Sequence, residues 1–389
     1  MGRLGIYVQV PFCQTKCTYC NFHTGVVSTS RFAPYAAAVC REISRHALLY
    51  EASGIKLPDA FAEAAVDTVY FGGGTPSLLE PAHLGDILDT LRKTFRCRFA
   101  EVTLEADPET IEHEKAVAWV AAGINRVSLG VQSFSDRELK AAGRMHRCAD
   151  VDRGARILRA AGIGNISFDL IAGLPHQTAE SWGNSLKELI ALSPEHVSIY
   201  MMEIDEGSRL GLEVLQSGKR YSAEALPAED QMADFYERGR IMLREAGYEH
   251  YEISNWAKHG FAALHNLKYW CREPYLGFGA GAHSFSGTQR WANAHDAAHY
   301  VTEMDTGKLP VEQLETLTSE RALEEELFLG LRQLAGIDVA RIEQQYGVTL
   351  AARFDPLAAL GLLERVGSRV RLAPARLSVS NEVFVELMQ

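Results

Sequence analysis

No stretch of this chain approaches the roughly 18 consecutive apolar residues that a bilayer-crossing helix needs, which excludes an integral helical membrane protein. The opening MGRLGIYVQV lacks the layout of a secretory signal. It also fails the myristoylation pattern, because Ile6 stands where Ser or Thr is required. There is no dense Lys/Arg run, and the net charge is −11. A global electrostatic pull on phosphate backbones is therefore missing, and no nucleic-acid partner is expected. Internal repeats and low-complexity tracts are absent as well, so solenoids and disordered scaffolds drop out. Hydrophobic residues make up 47% and charged residues 23% of 389 residues, which suits one large globular domain plus a smaller one. A cytoplasmic protein is expected. There the seven cysteines stay reduced, so a cluster of them points to metal binding or catalysis and not to a disulfide framework.

Such a cluster exists. Cys13, Cys17 and Cys20 form C-x3-C-x2-C on a loop that follows an apolar strand pattern, Gly5 to Val10. A cubane iron–sulfur cluster has four irons, each usually held by a cysteine, so three local thiolates leave one iron open to another ligand. The rival is a zinc site completed by His23, although zinc sites more often pair C-x2-C knuckles from two places. Cys40, Cys97, Cys148 and Cys271 are far apart and read as buried or inert thiols.

Strand and helix patterns then alternate. Helical stretches are expected at 31–51, 81–95, 109–122, 136–142, 149–161 and 179–192, and strands at 66–71, 101–106, 126–131, 166–171 and 196–201. With the first strand this makes six, and the alternation calls for a parallel sheet with helical crossovers. Periodicity leaves open whether that sheet is doubly wound or a (β/α) barrel; in both, ligands bind where the strands end. Those ends carry Gly72-Gly73-Gly74-Thr75, Glu105 and Gln132, with Asp169 inside the fifth strand, and they read as one shared ligand site. Residues 206–227 look like a polar insertion, 228–246 an amphipathic helix, 248–253 a strand, and 255–291 an irregular segment rich in Gly, His and aromatics. Three helical stretches at 319–334, 339–346 and 350–360, followed by a hairpin, suggest a small winged-helix-like domain.

The C-x3-C-x-aromatic-C string, with Tyr19 before its third cysteine, resembles the signature of the radical S-adenosylmethionine (SAM) superfamily. The finer resemblance is to the group formed by the oxygen-independent coproporphyrinogen III oxidases and their relatives (HemN/HemW), carried by YVQVPFC, FGGGTPS, LEADPE, SLGVQSF, GRMH and FDLIAGLP. It implies a partial (β/α)6 barrel with a mainly helical, winged-helix-like C-terminal domain. The expected division is a core at 1–230 with the cluster loop at 11–24, a barrel extension at 231–310, and the C-terminal domain at 311–389. It further implies a [4Fe–4S] cluster on Cys13, Cys17 and Cys20, with SAM on the open iron. Tyr7 and Tyr19 would lie near the cluster, Gly72, Gly73, Gly74 and Thr75 near the SAM amino group, and Glu105, Gln132, Arg144 and Asp169 around the rest of SAM.

Two features divide that group. The oxidases resemble C-x3-C-x-F-C-x-C, but Phe22 occupies the place of the extra cysteine here, and only twelve residues precede Cys13 where the oxidases have a longer extension. His265-Asn266-Leu267-Lys268-Tyr269-Trp270 matches the HNxxYW string of the branch regarded as haem chaperones. The resemblance thus implies haem as a further ligand. His265 is then the expected iron ligand, with Tyr269 and Trp270 against the porphyrin and Lys268 near a propionate. His250, His259, His283 and His295 remain competitors. The expected function is haem binding and delivery to haem-accepting proteins such as respiratory haemoproteins, with at most transient membrane contact, by a monomer or dimer. The alternative is a radical SAM oxidoreductase acting on a tetrapyrrole. No general base or nucleophile with a clear partner stands out, so no catalytic residue is assigned.

Overall fold

The computed structural model describes residues 2–387. In chain order the elements are β1 (Arg3–Val10), α1 (Phe32–Ala52), the one-turn α2 (Ala60–Glu63), β2 (Ala65–Gly73), α3 (Pro81–Thr94), β3 (Cys97–Ala106), α4 (His113–Ala122), β4 (Arg126–Gln132), α5 (Asp136–Ala141), α6 (Cys148–Ala161), β5 (Asn165–Ala172), α7 (Ala179–Leu192) and β6 (His196–Met201). Strands β1 to β6 pair in parallel, each with the next. Local chemistry sets the ends of the helices between them. Thr178 accepts from the Ser181 amide and starts α7, while Gly123 at φ 107° closes α4 in the left-handed region that only glycine enters freely. Residues 109–122 are not one helix: Pro108 opens a short 3-10 turn, and the α-helix begins only at His113.

β6 does not return to β1. It pairs antiparallel with β8 (Asn255–Ala257), and β8 pairs with β7 (Glu249–Glu252). On the other side, β1 pairs in parallel with β9 (Tyr275–Phe278), which leads to β10 (His283–Phe285), β11 (Gln289–Asn293) and β12 (Val311–Thr316). The result is one open sheet of twelve strands whose middle is a partial barrel, walled outside by α1, α3, α4, α6 and α7. Residues 209–215 of the polar insertion form α8 (Arg209–Leu215), followed by α9 (Glu229–Glu245).

The segment 255–291 corrects the sequence reading. It is not irregular: besides β8 to β11 it holds α10 (Leu264–Trp270), a helix made of the HNLKYW string itself. The misreading has a physical cause. The residue at the N-cap, Ala263, offers no side-chain cap; the exposed start of the helix is bonded instead by Glu101 of β3, whose carboxylate accepts from the Leu264 and His265 amides at 2.9 and 3.0 Å. A cap from that far away leaves no local signature. After α11 (Ala297–Thr306) and β12 come α12 (Ser319–Leu331), β13 (Ile337–Asp338), α13 (Val339–Tyr346), α14 (Ala351–Ala359), the hairpin β14 (Leu363–Val366) and β15 (Arg369–Leu372), and α15 (Ser380–Leu387). The helices and hairpin agree with the winged-helix-like reading; β13 and α15 are additions to it. Among the described residues no helix is long and apolar enough to cross a membrane.

Candidate functional site

The C-terminal ends of β1 to β4 form a mouth. The cysteine loop leaves β1 there and is tied down at both sides. The Cys13 amide donates to Gly25 O at 3.0 Å, the Thr18 amide to Ala142 O at 3.0 Å, and the Leu210 amide of α8 to Thr18 O at 2.8 Å. All three cysteines are free thiols and half-buried. Burial raises the Cys13 and Cys20 thiols above their ordinary range. Among the described residues no three His, Cys, Asp or Glu side chains surround a single-ion position. The zinc alternative completed by His23 is thereby unsupported, since His23 instead stacks on His295 at 4.2 Å. A cubane asks for something else: each sulfur goes to a different iron, so its thiolates stand farther apart than ligands of one ion. Three soft sulfurs on one pinned loop fit that demand.

The glycine run that closes β2 is required three times over. A Cβ on Gly74 would meet the Phe12 carbonyl of the cysteine loop, one on Gly73 the Gln9 amide, and one on Gly72 the rings of Tyr7 and Tyr70. Gly73 also has φ 111°. The run therefore lets β2 lie against the cluster loop, with Thr75 N donating to Phe12 O at 2.7 Å. Next to it, Glu105 accepts from the Tyr70 hydroxyl at 2.7 Å and the Gly73 amide at 3.1 Å. Burial in the barrel wall pushes its carboxyl up to about 7 against those bonds, and the Asp169 charge adds to the rise. Asp169 accepts from Ser128 at 3.0 Å, and burial raises it too. Tyr7 donates to Gln9 at 2.8 Å and stacks on Tyr70 at 6.0 Å.

Arg144 links the mouth together. It bonds Cys17 Sγ at 3.5 Å, Gly130 O at 2.8 Å and the Asp107 carboxylate. Burial opposes its charge, but Asp107, Tyr19 and the Cys17 thiol outweigh this and hold the guanidinium well above its ordinary range. Gln132 ends β4 at φ 62°, a left-handed conformation uncommon for a side-chain-bearing residue and frequent at ligand sites. Tyr19 lies against Ala142, Ile171 and Leu174.

Two residues escaped sequence reasoning. Asp107 holds both Arg144 and the Thr75 hydroxyl, the latter at 3.1 Å. Arg126 is 2% exposed inside the barrel, where the charges of Glu101 and Asp169 sustain its own. A buried arginine at a strand start gives no signal, since the same letter is usually a solvated end.

The HNLKYW helix lies elsewhere. His265 contacts Thr68, early in β2, and its neighbours include Gly5 of β1 and Glu101 of β3, so α10 plugs the floor of the barrel, at the N-terminal ends of the strands. His265 is fully buried; Nδ1 meets Thr68 Oγ1 at 2.9 Å and Nε2 meets the Tyr269 hydroxyl at 2.8 Å. Burial, with Lys268 and Arg126, pushes it down to about 3, so the ring is neutral. Lys268 is 4% exposed and pairs with Asp67 at 2.8 Å and Glu273 at 3.2 Å. The site residues thus fall into two groups, with the cysteines, glycines, Glu105, Gln132, Arg144 and Asp169 toward the mouth and His265 at the floor, joined by Tyr7 and by Tyr70, on which His265 stacks at 5.3 Å. Of its competitors, His250 is stacked on Trp256 at 4.1 Å, His259 pairs with Glu249, and His295 pairs with Glu312. A groove of about 530 Å³ also lies at the floor, between Asn125, Gly164 and Phe261, but its one carboxylate, Glu101, is spent on α10.

Comparison with known proteins agrees with this geometry. Residues 7–189 match the model of the radical SAM superfamily and residues 317–375 that of the HemN C-terminal domain. The chain is 34% identical to the heme chaperone HemW of Bacillus subtilis over 384 residues, 97% of each protein. It is 34% identical to the heme chaperone HemW of Synechocystis over 348 residues, 86% of this chain and 79% of that one. The solved structure of Escherichia coli coproporphyrinogen III oxidase (HemN) superposes with a TM-score of 0.83 at 24% identity, over 100% of this chain and 90% of that one, which is a likeness of fold. With its cysteine loop, its open barrel and these near full-length relatives, the chain belongs to the radical SAM superfamily and, within it, to the HemW family.

Proposed function

We propose that this chain binds haem and delivers it to haem-accepting proteins, respiratory haemoproteins among them. The observation that carries this reading is the near full-length likeness to heme chaperones. Phe22 supports it, 64% exposed where the oxidases have their extra cysteine.

In this reading Cys13, Cys17 and Cys20 hold the [4Fe–4S] cluster. Gly72 to Thr75, Glu105, Gln132, Arg144 and Asp169 hold SAM, with Tyr7 and Tyr19 beside them. When bound there, the cluster would serve as a one-electron reductant toward SAM, as a controlling or reductive part of the carrier. Glu105 and Asp169 suit the ribose hydroxyls or the amine as acceptors, and Arg144 suits a carboxylate. His265 is the haem ligand. Its neutral ring is the form that ligates iron, and ligation requires that the Thr68 and Tyr269 bonds open and α10 lift from the floor. The working units are the core at 1–230, the extension at 231–310 that carries α10, and the domain at 311–389.

The test is anaerobic reconstitution with iron and sulfide, followed by haem titration and a coproporphyrinogen assay. Saturable haem binding that is lost in His265→Ala, kept in His295→Ala and accompanied by no decarboxylation is expected. Turnover to protoporphyrinogen would replace the carrier with the oxidase. Iron content unchanged by Cys13→Ala would overturn the cluster assignment.

A further inference from the structure

Beside α10, and away from the mouth, lies a small pocket of about 210 Å³ bounded by Tyr269, Trp270, Tyr275, Phe285, Arg272 and Arg290, with α12 as its roof. Its charge arrangement is unusual. The Arg290 guanidinium lies 4.3 Å from the Phe285 ring centre and that of Arg272 4.8 Å from the same centre. Both are therefore fixed by an aromatic face and held close to each other. One carboxylate from the C-terminal domain, Glu325 of α12, takes both: Arg290 Nε at 2.6 Å, Arg290 Nη2 at 3.0 Å and Arg272 Nε at 2.9 Å. Arg272 Nη2 is buried without a partner. Around them, Arg332 lies 4.5 Å over Trp270, and Glu273 pairs with Lys268. Arg332 has Glu252 as its own partner at 4.0 Å, which leaves the surplus on Arg272 and Arg290, two guanidiniums on one carboxylate. Burial works against the Glu325 charge, yet the bonds from Arg290 and Arg272 outweigh it and keep the carboxyl below its ordinary range.

Two preset arginines, aromatic walls and one borrowed carboxylate describe a site for a flat aromatic molecule bearing acid groups. We infer that Glu325 is an internal stand-in for a ligand carboxylate, and that the propionates of haem take Arg272 and Arg290 when the C-terminal domain moves off α10. This rests on the haem reading above and adds residues to it. The pocket as it stands is smaller than the roughly 300–1,000 Å³ of preformed ligand sites, so haem requires it to open. The straps that keep it closed include Glu325, Arg332 on Trp270 and Glu252, the Gln333 amide on Trp270 O at 3.3 Å, and two backbone bonds, Ile253 N to Arg332 O and Leu334 N to Tyr251 O, beside an apolar seam that includes Leu323, Leu327 and Leu331.

The experiment titrates the reconstituted full chain with haem and with haem dimethyl ester, whose propionates are capped, and follows the Soret band at equilibrium and in stopped flow. Wild type is expected to bind haem about tenfold more tightly than the ester, the size of one lost charged hydrogen bond. Glu325→Gln is expected to speed haem association by about tenfold while iron content stays unchanged; its thermal midpoint falls, because Arg272 and Arg290 lose their shared carboxylate. Arg290→Gln is expected to erase the preference for haem over its ester. Equal binding of haem and ester by wild type overturns the inference even if a variant fails to fold. So does an unaltered association rate in Glu325→Gln. Failure of wild type to bind haem at all sinks the haem reading itself, which keeps the two apart.

Discussion

Gly74 shows how little room the mouth allows. Its missing Cβ is what lets the Phe12 carbonyl of the cysteine loop come close, and Gly74→Ala has to push that loop away. A loss of more than about 2 kcal/mol is expected, with a lower thermal midpoint and less iron bound per chain; an unchanged iron content would show that the loop can yield. Glu42 is a second single residue with a measurable signature. It is fully buried and takes bonds from Tyr300, Gly279 and Asn293. Burial still pushes its carboxyl up to about 7 from 4.5. Between those values the folded chain keeps a proton that the unfolded chain has released. Stability contributed below pH 4.5 is therefore lost as pH rises through 7, by roughly 3 kcal/mol. Thermal melts from pH 4.5 to 8 check this by difference: Glu42→Gln is expected to remove that slope, and parallel curves for the two proteins would refute it.

Among elements, α10 separates what could be read in the sequence from what could not. The alternating units from β1 to β6 were legible because each strand and helix carries its own period, and each turn its own Gly, Pro or capping residue. The mouth was legible for a related reason: its cysteines and glycines sit at strand ends, where such residues have few structural uses. α10 has neither advantage. It buries His265 and Lys268, which pattern reading places outside, and its start is bonded by Glu101 on a strand some 160 residues earlier. The histidine was found, but the helix and its burial were not. Asp107 and Arg126 went unnoticed because their partners, too, come from distant parts of the chain. The helix can be tested through its remote cap. Glu101→Gln replaces one acceptor with a donor facing two amides, at a cost of about 1–3 kcal/mol. Faster hydrogen exchange at the Leu264 and His265 amides is expected, while exchange in α7, capped by its own Thr178, stays as it was; uniform change across both helices would point to global destabilisation instead.

At the scale of the whole molecule, the open sheet has two working ends. One carries the thiols, glycines and Arg144, and the other carries α10 under the C-terminal domain. Acid acts on the second end through His265. The neutral His265 has its ring pushed down to about 3, so the unfolded or released state gains a proton as pH falls below the ordinary value near 6.5. The stability it contributes is complete above that value and is lost progressively toward pH 3, by about 1.4 kcal/mol per unit. Limited proteolysis of the 258–275 segment is expected to quicken between pH 7 and pH 5 in wild type and to do so less in His265→Asn; equal sensitivity would remove His265 as the cause.

The strand that joins these ends also measures the distance between them. His265 borders Gly5 near the start of β1, and Cys13 follows the end of the same strand. Gly5 to Val10, five residues at about 3.3 Å each, cover roughly 16 Å of it. Aromatic rings bridge the two ends: His265 stacks on Tyr70 at 5.3 Å, and the Tyr70 hydroxyl donates to Glu105 at 2.7 Å. The barrel thus carries a relay one tyrosine long, by which a shift of α10 reaches the mouth.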